Sequence, residues 1–227
     1  MAAQFLTLGN FYGIDSLFEF LVIIVASIIS LYSYKVYRML KNKNFKYFSI
    51  AFLFIAISFI FKILSNLTIL HRVEITNLNS VIVITSQFEY MRLIQFASFI
   101  IYKTLYLLGA LLLFFIATKT KKQNKIMFVY LSILVIILSI FMNFVFYLTL
   151  VFILTFLTSY YYENYKKNKL TNSFLVFLGF FLLSISQLVL IFSGFRPIVE
   201  LTGDMLMLAG FLVLLINQIK IKRAAKK

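Results

Sequence analysis

Between residues 126 and 162 the chain runs for 37 residues without a charged side chain. As one helix this stretch would measure about 55 Å, against a hydrocarbon core of roughly 30 Å. Basic clusters flank it: Lys119, Lys121, Lys122 and Lys125 before it, and Lys166, Lys167 and Lys169 after it. Lysine and arginine concentrate in the cytoplasmic loops of membrane proteins. Both flanks then lie on one side, and the stretch crosses an even number of times. The sequence predicts a tight helical hairpin turning near Met142 and Asn143, with no glycine or proline to mark it.

The rest of the chain divides in the same way. Of its 227 residues 63% are hydrophobic, whereas a soluble domain is nearer half. No segment is polar enough for a separate soluble domain. A spanning helix needs roughly 20 apolar residues, and such runs lie at about 17–37, 47–70, 88–118, 172–194 and 198–219. With the hairpin, the expected fold is all-α and polytopic, with seven transmembrane helices. Three basic loops and the tail hold 17 of the 22 lysines and arginines, and of seven acids only Glu163 joins them. The expected topology therefore has the N-terminus outside and the C-terminus cytoplasmic, in the cell membrane. Tyr32, Tyr34, Tyr37, Tyr160, Tyr161, Tyr162 and Tyr165 fall at the inner interface, where aromatic belts sit. The first residues lack the positive region of a signal peptide and are expected to be retained.

A shift of 128 residues lays the first helical hairpin over the fifth and sixth helices. Ten of the 34 positions from Tyr32 to Ser65 are then identical, among them Tyr37 with Tyr165, Lys41 with Lys169, Phe52 with Phe180 and Ser58 with Ser186. A shift of 101 lays the third helix over the seventh, aligning Leu111 and Leu113 with Leu212 and Leu214. The reading is a 3+1+3 parallel repeat: residues 1–118, a linker helix at 126–143, and 144–227. Some small transporters are built from parallel repeats.

Ionisable residues inside a membrane span are rare, and each is a candidate for function. The third helix carries Lys103 in its apolar body. Counted from the basic end of each helix, Lys103, Asp204 and Gln187 lie 15 residues in, and Lys62 and Glu19 lie 16 in. At 1.5 Å per residue all five share a level about 22–24 Å from that end. Glu19, Lys62, Lys103, Gln187 and Asp204 are therefore the candidate ligand-binding layer. The 101-residue shift aligns Lys103 with Asp204, so these two are expected to pair. Competing readings are lysines that snorkel to nearby headgroups, acids that mark ragged helix ends, and an ion-pair network that only locks the bundle. Glu89 and Arg92, at i and i+3, read as a surface pair. Gly109 with Ala110, and Ala209 with Gly210, mark close helix approach. Asn66-Leu67-Thr68 matches a glycosylation sequon but lies too near the membrane.

There is no cysteine and one histidine, His71, read as a loop residue past a helix end. Disulfides, thiolate metal sites and multi-histidine sites are excluded. No cofactor is expected. An intramembrane enzyme would need a nucleophile, a metal or an acid–base set, and Glu19 with Asp204 is a thin basis. A retinal protein would need a lysine midway along the seventh helix, and none is there. The basic charge belongs to loops and implies the lipid bilayer as partner, not nucleic acid. What remains is an outward-facing polar pocket for a small polar or charged ligand. Its owner is a small-solute or ion transporter or, as the alternative, a receptor or sensor signalling through a partner protein. A homo-oligomer is compatible with either.

Overall fold

The computed structural model describes residues 2–77, 85–118, 130, 133–138, 142–193 and 197–224. They form seven helices: α1 (Ala2–Leu40), α2 (Lys43–Asn77), α3 (Thr85–Thr118), α4 (133–138), α5 (Asn143–Asn168), α6 (Thr171–Leu190) and α7 (Pro197–Ala224). All but α4 are long and apolar enough to cross a membrane. The fourth expected crossing lies largely outside the described residues. The hairpin expected to turn near Met142 and Asn143 lies partly outside the described residues; within them, the backbone breaks at Met142. Met142 is extended (φ −136°, ψ 100°) and α5 starts at the next residue. α5 thus starts without a glycine or proline at Met142 or Asn143.

Two connections are shorter than their basic clusters suggest. Lys41 and Asn42 alone join α1 to α2, and Lys169 and Leu170 alone join α5 to α6. Lys41 and Lys169 are left-handed, with φ of 52° and 48°. Their N–H groups donate to Tyr37 O and Tyr165 O, each at 2.7 Å, closing the helix ends. Asn42 Oδ1 accepts from the Asn44 N–H at 3.0 Å and caps the start of α2. Arg38, Lys166, Lys167, Lys222 and Arg223 belong to the last turns of helices. There they complement the negative end of the helix dipole.

Other boundaries differ from expectation. α2 continues to Asn77, so His71 is helical and not in a loop. Nothing between Leu70 and Asn77 interrupts the backbone ladder, and polarity alone does not end a helix. The short apolar run at 81–84 lies outside the described residues. α6 stops at Leu190, where Phe192 N–H bonds to Val189 O at 3.0 Å and tightens the last turn. α7 begins on Pro197 itself, a first-turn position where the missing N–H has no partner to lose.

The six long helices form a closed ring. α1 packs on α2, α2 on α3, α3 on α5, α5 on α6, α6 on α7, and α7 on α1. Phe52, Phe59, Tyr106, Phe146, Met207 and Phe211 are buried inside it. Phe211 meets the edges of Phe52 (centroids 6.1 Å apart) and Phe59 (6.5 Å). Large apolar side chains such as Leu31, Phe152 and Phe156 are exposed on the ring's surface. Water penalises that arrangement, whereas a lipid chain does not. Between apolar helices in lipid, close packing supplies the attraction, which favours small residues at the contacts. Gly109 and Gly210 serve this role on α3 and α7.

Candidate functional site: a buried charged cluster

All five residues of the expected polar layer are buried. They do not form one layer of contacts; they separate into three groups. Helix rise set their common level, but the azimuth of each side chain decided its neighbours.

The first group is a charged cluster where α1, α2 and α7 meet. Lys62 Nζ on α2 lies 2.8 Å from Glu19 Oε1 on α1 and 3.3 Å from Asp204 Oδ1 on α7. Glu19 and Asp204 are both 0% exposed. Asn66 follows Lys62 by one turn and donates to both oxygens of Glu19, at 3.0 and 3.1 Å. Asp15 precedes Glu19 by one turn. It is buried, and its Oδ1 has no hydrogen-bond partner. The ring holds α1 against both α2 and α7, which is why one lysine reaches carboxylates on two other helices. Lys62 does not snorkel: its stem carries the ammonium into protein, and the two acids are not ragged ends.

Lys103 does not pair with Asp204. Its Nζ donates to Asn143 Oδ1 at 2.8 Å and sits 3.7 Å from the centroid of Phe99. The reason is the order of the ring. α3 packs between α2 and α5, whereas α7 packs between α6 and α1. Lys103 is thus offered α5, and Lys62 takes Asp204. The third group is centred on Gln187, whose Nε2 approaches Ser186 Oγ at 3.2 Å, Tyr106 Oη at 3.4 Å and Met207 Sδ at 3.7 Å. Gln187 Oε1 is buried without a partner.

The sequence reading passed over Asp15 and saw Asn66 only as part of a sequon, not as a partner of Glu19. Each stands four residues from a layer member on the same helix, the spacing that stacks side chains on one face. That spacing was the available signal. A cavity of about 580 Å³ lies between α2 and α3, lined by Ser65, Arg92, Leu93, Gln95, Phe96 and Phe99. Ser65 adjoins Asn66, and Phe99 is the ring beneath Lys103. The cavity therefore lies beside the charged groups, at the end of the bundle away from the Lys41 and Lys169 turns.

Glu19 and Asp204 share one ammonium, and Asp15 is a third buried carboxyl group one turn along α1. Burying a charge is costly unless it is paired and hydrogen-bonded. With all four groups ionised the site would hold excess negative charge away from water. Comparison with known protein families, with curated proteins and with solved structures finds no match to this chain.

Proposed function

We propose that the protein is a small-solute or ion transporter, not an enzyme. It crosses the cell membrane seven times, with the N-terminus outside, the C-terminus in the cytoplasm and the buried cluster nearer the outer face. The observation that carries the reading is the convergence of Glu19 and Asp204 on Lys62 from three helices, with Asp15 beside them and incompletely bonded. An ion pair serving only to lock the bundle would leave no carboxyl oxygen over. A transport site requires groups that can exchange partners, and an extra acid beside a shared lysine supplies one.

Two related three-helix halves, α1–α3 and α5–α7, are part of the same proposal. Several geometries support it. Lys41 and Lys169, 128 residues apart, share the left-handed conformation and the same 2.7 Å hydrogen bond to a tyrosine carbonyl. A Cβ on Gly109 would meet Ile55 Cγ1 and Ala51 O at 2.8 and 2.9 Å. One on Gly210 would meet Leu183 Cγ and Gly179 O at 2.9 and 3.0 Å. Shifts of 101 and 128 carry the first contact onto the second, residue by residue. Tyr106 and Met207, equivalent under the shift of 101, touch each other at 3.9 Å, as residues beside a pseudo-twofold axis do. Against this background the halves diverge where the charges are. Lys62 stands opposite Leu190, and Glu19 opposite Tyr147. Transport sites in repeat proteins lie at the interface between repeats, and the α7–α1 contact is such an interface.

The test is flux in proteoliposomes, followed with a pH-sensitive dye and with labelled sodium and potassium. Lys62→Gln and Asp204→Asn should each abolish flux while the protein remains folded. Unchanged flux in both variants would sink the proposal, and solute binding without flux would favour a receptor.

A further inference from the structure

The acids of α1 and α7 stand in two rungs. On α1 Asp15 precedes Glu19 by four residues, and on α7 Glu200 precedes Asp204 by four. Glu19 and Asp204 both meet Lys62 Nζ, at 2.8 and 3.3 Å, which fixes them at one level. The two helices run the same way from there. Lys222, 18 residues beyond Asp204, places its Nζ 4.2 Å from the ring centroid of Tyr32, 13 residues beyond Glu19. Four residues of helix rise about 6 Å, so Asp15 and Glu200 share a second level one turn above the first.

Electrostatics brings the upper two together. Of the charges acting on Asp15, Glu200 is the strongest, ahead of Lys62 and of Glu19 on its own helix. Asp204 in turn feels Lys62, Glu19, Glu200 and Asp15. From α3 and α5, Tyr102, Tyr106 and Tyr147 come within reach of the Lys62 charge. The cation acting on all three buried acids is Lys62, and its contacts are with the lower pair.

Asp15 is 3% exposed, and its Oδ1 is buried without a hydrogen-bond partner. Glu200 is partly exposed. A buried polar atom without a partner asks for an explanation, and two carboxylates side by side away from water resist being ionised together. A metal cation or a proton answers both. A metal cation needs several ligands at once, and among the described residues no three acids or histidines gather closely enough to hold one. A proton needs one carboxyl oxygen.

Under the repeat proposed above, the α3–α5 seam carries Asn143 for Asp15, Tyr147 for Glu19, Phe99 for Glu200 and Lys103 for Asp204. None of these is an acid. Lys103 meets Asn143 there at 2.8 Å, so the positions equivalent to Asp204 and Asp15 reach each other across that seam. Of the two seams, the one between α1 and α7 holds all four acids.

We infer that Asp15 and Glu200 form an outer proton-binding site, in which Asp15 carries the proton and Glu200 the remaining charge. The proton comes from water at the outer face by way of Glu200, the more exposed of the two, and bonds to a carboxyl oxygen of Asp15. The charge then stays where water reaches, and the buried acid is the neutral one. The site stands on the burial of Asp15, its unpartnered oxygen and the charge of Glu200 beside it. That the proton goes on to Glu19 or Asp204, one turn deeper, as the transported or coupling ion rests on the transport reading above.

The experiment is infrared difference spectroscopy of the purified full chain in phosphatidylcholine vesicles over a pH series, alongside proton, sodium and potassium flux in proteoliposomes. Acidification should raise a protonated-carboxyl band in the wild type. Asp15→Asn should remove one component of that band, and Asp15→Glu should keep it. Glu200→Gln takes away the neighbouring charge and should weaken the proton affinity of the same component about tenfold, moving its midpoint to lower pH. A band unchanged by Asp15→Asn overturns the site. So does a midpoint unmoved by Glu200→Gln, which decides the matter at a partly exposed position should Asp15→Asn fail to fold. Sodium or potassium flux in the wild type, with no component lost in Asp15→Asn, removes the site and leaves the transport reading. An Asp15 component in a wild type that moves none of the three ions removes transport and leaves the site.

Discussion

Lys62 is the residue on which the bundle's electrostatics turn. It sits 2.8 Å from Glu19 and 3.3 Å from Asp204, and both acids are fully buried. Truncating one partner of a buried ion pair costs about 3–5 kcal/mol, because the remaining charge is left without compensation. Lys62→Met should destabilise the protein by about that much in unfolding from mixed micelles. Adding Glu19→Gln and Asp204→Asn to the same chain should restore most of the loss. A cost below about 1 kcal/mol for Lys62→Met alone would mean that the acids are already neutral or solvated. The members of this cluster were partly legible in sequence. Glu19, Lys62 and Asp204 stand out as charges in apolar runs, and counting rise placed them at one level. Their partners were not legible, since two residues at equal depth can face opposite sides of a bundle. Lys103, level with Asp204, turned instead to Asn143 on α5.

At the scale of elements, two glycine contacts set how closely neighbouring helices pack. Gly109 lets α3 approach α2, and Gly210 lets α7 approach α6. An added methyl group would meet backbone oxygens at 2.9 and 3.0 Å, and backbone cannot move aside without parting the helices. Alanine is the better helix former by about 1 kcal/mol, but overpacking costs about 1–3 kcal/mol and wins where the obstacle is backbone. Gly109→Ala and Gly210→Ala should each lower stability, by similar amounts, in chemical unfolding. A stabilised variant at either position would show that the contact yields easily. The sequence marked both glycines as points of approach but did not name the neighbours. It also overestimated the two basic connections. Lys41 and Lys169 close their helices in the left-handed conformation, a local backbone choice that residue charge does not reveal.

At the scale of the whole molecule, six long helices close into a ring whose first and last members touch. The contact between α7 and α1 joins residues nearly 200 positions apart, and without it Asp204 would not reach Lys62. The proposed topology places Lys41 and Lys169 on the cytoplasmic side and Leu93 toward the outside. Because the chain has no cysteine, single cysteines report cleanly on this. In intact cells, an impermeant maleimide should label Leu93→Cys and should reach Lys41→Cys and Lys169→Cys only after permeabilisation. Labelling of Lys41→Cys and Lys169→Cys from opposite sides would break the parallel arrangement of the halves.

What the sequence by itself determined was everything that depends on distance along one helix. Apolar runs of sufficient length, basic clusters at their ends and charges at a countable depth follow from a rise that is the same in every α-helix. They defined a membrane-spanning helical chain, the break at Met142 and the buried level of Glu19, Lys62, Lys103, Gln187 and Asp204. The tertiary structure alone decided which of these residues meet. Partnership depends on rotation about each helix axis and on the order of helices around the ring, and both are set by packing between residues far apart in the chain. That is why Lys62, and not Lys103, holds Asp204.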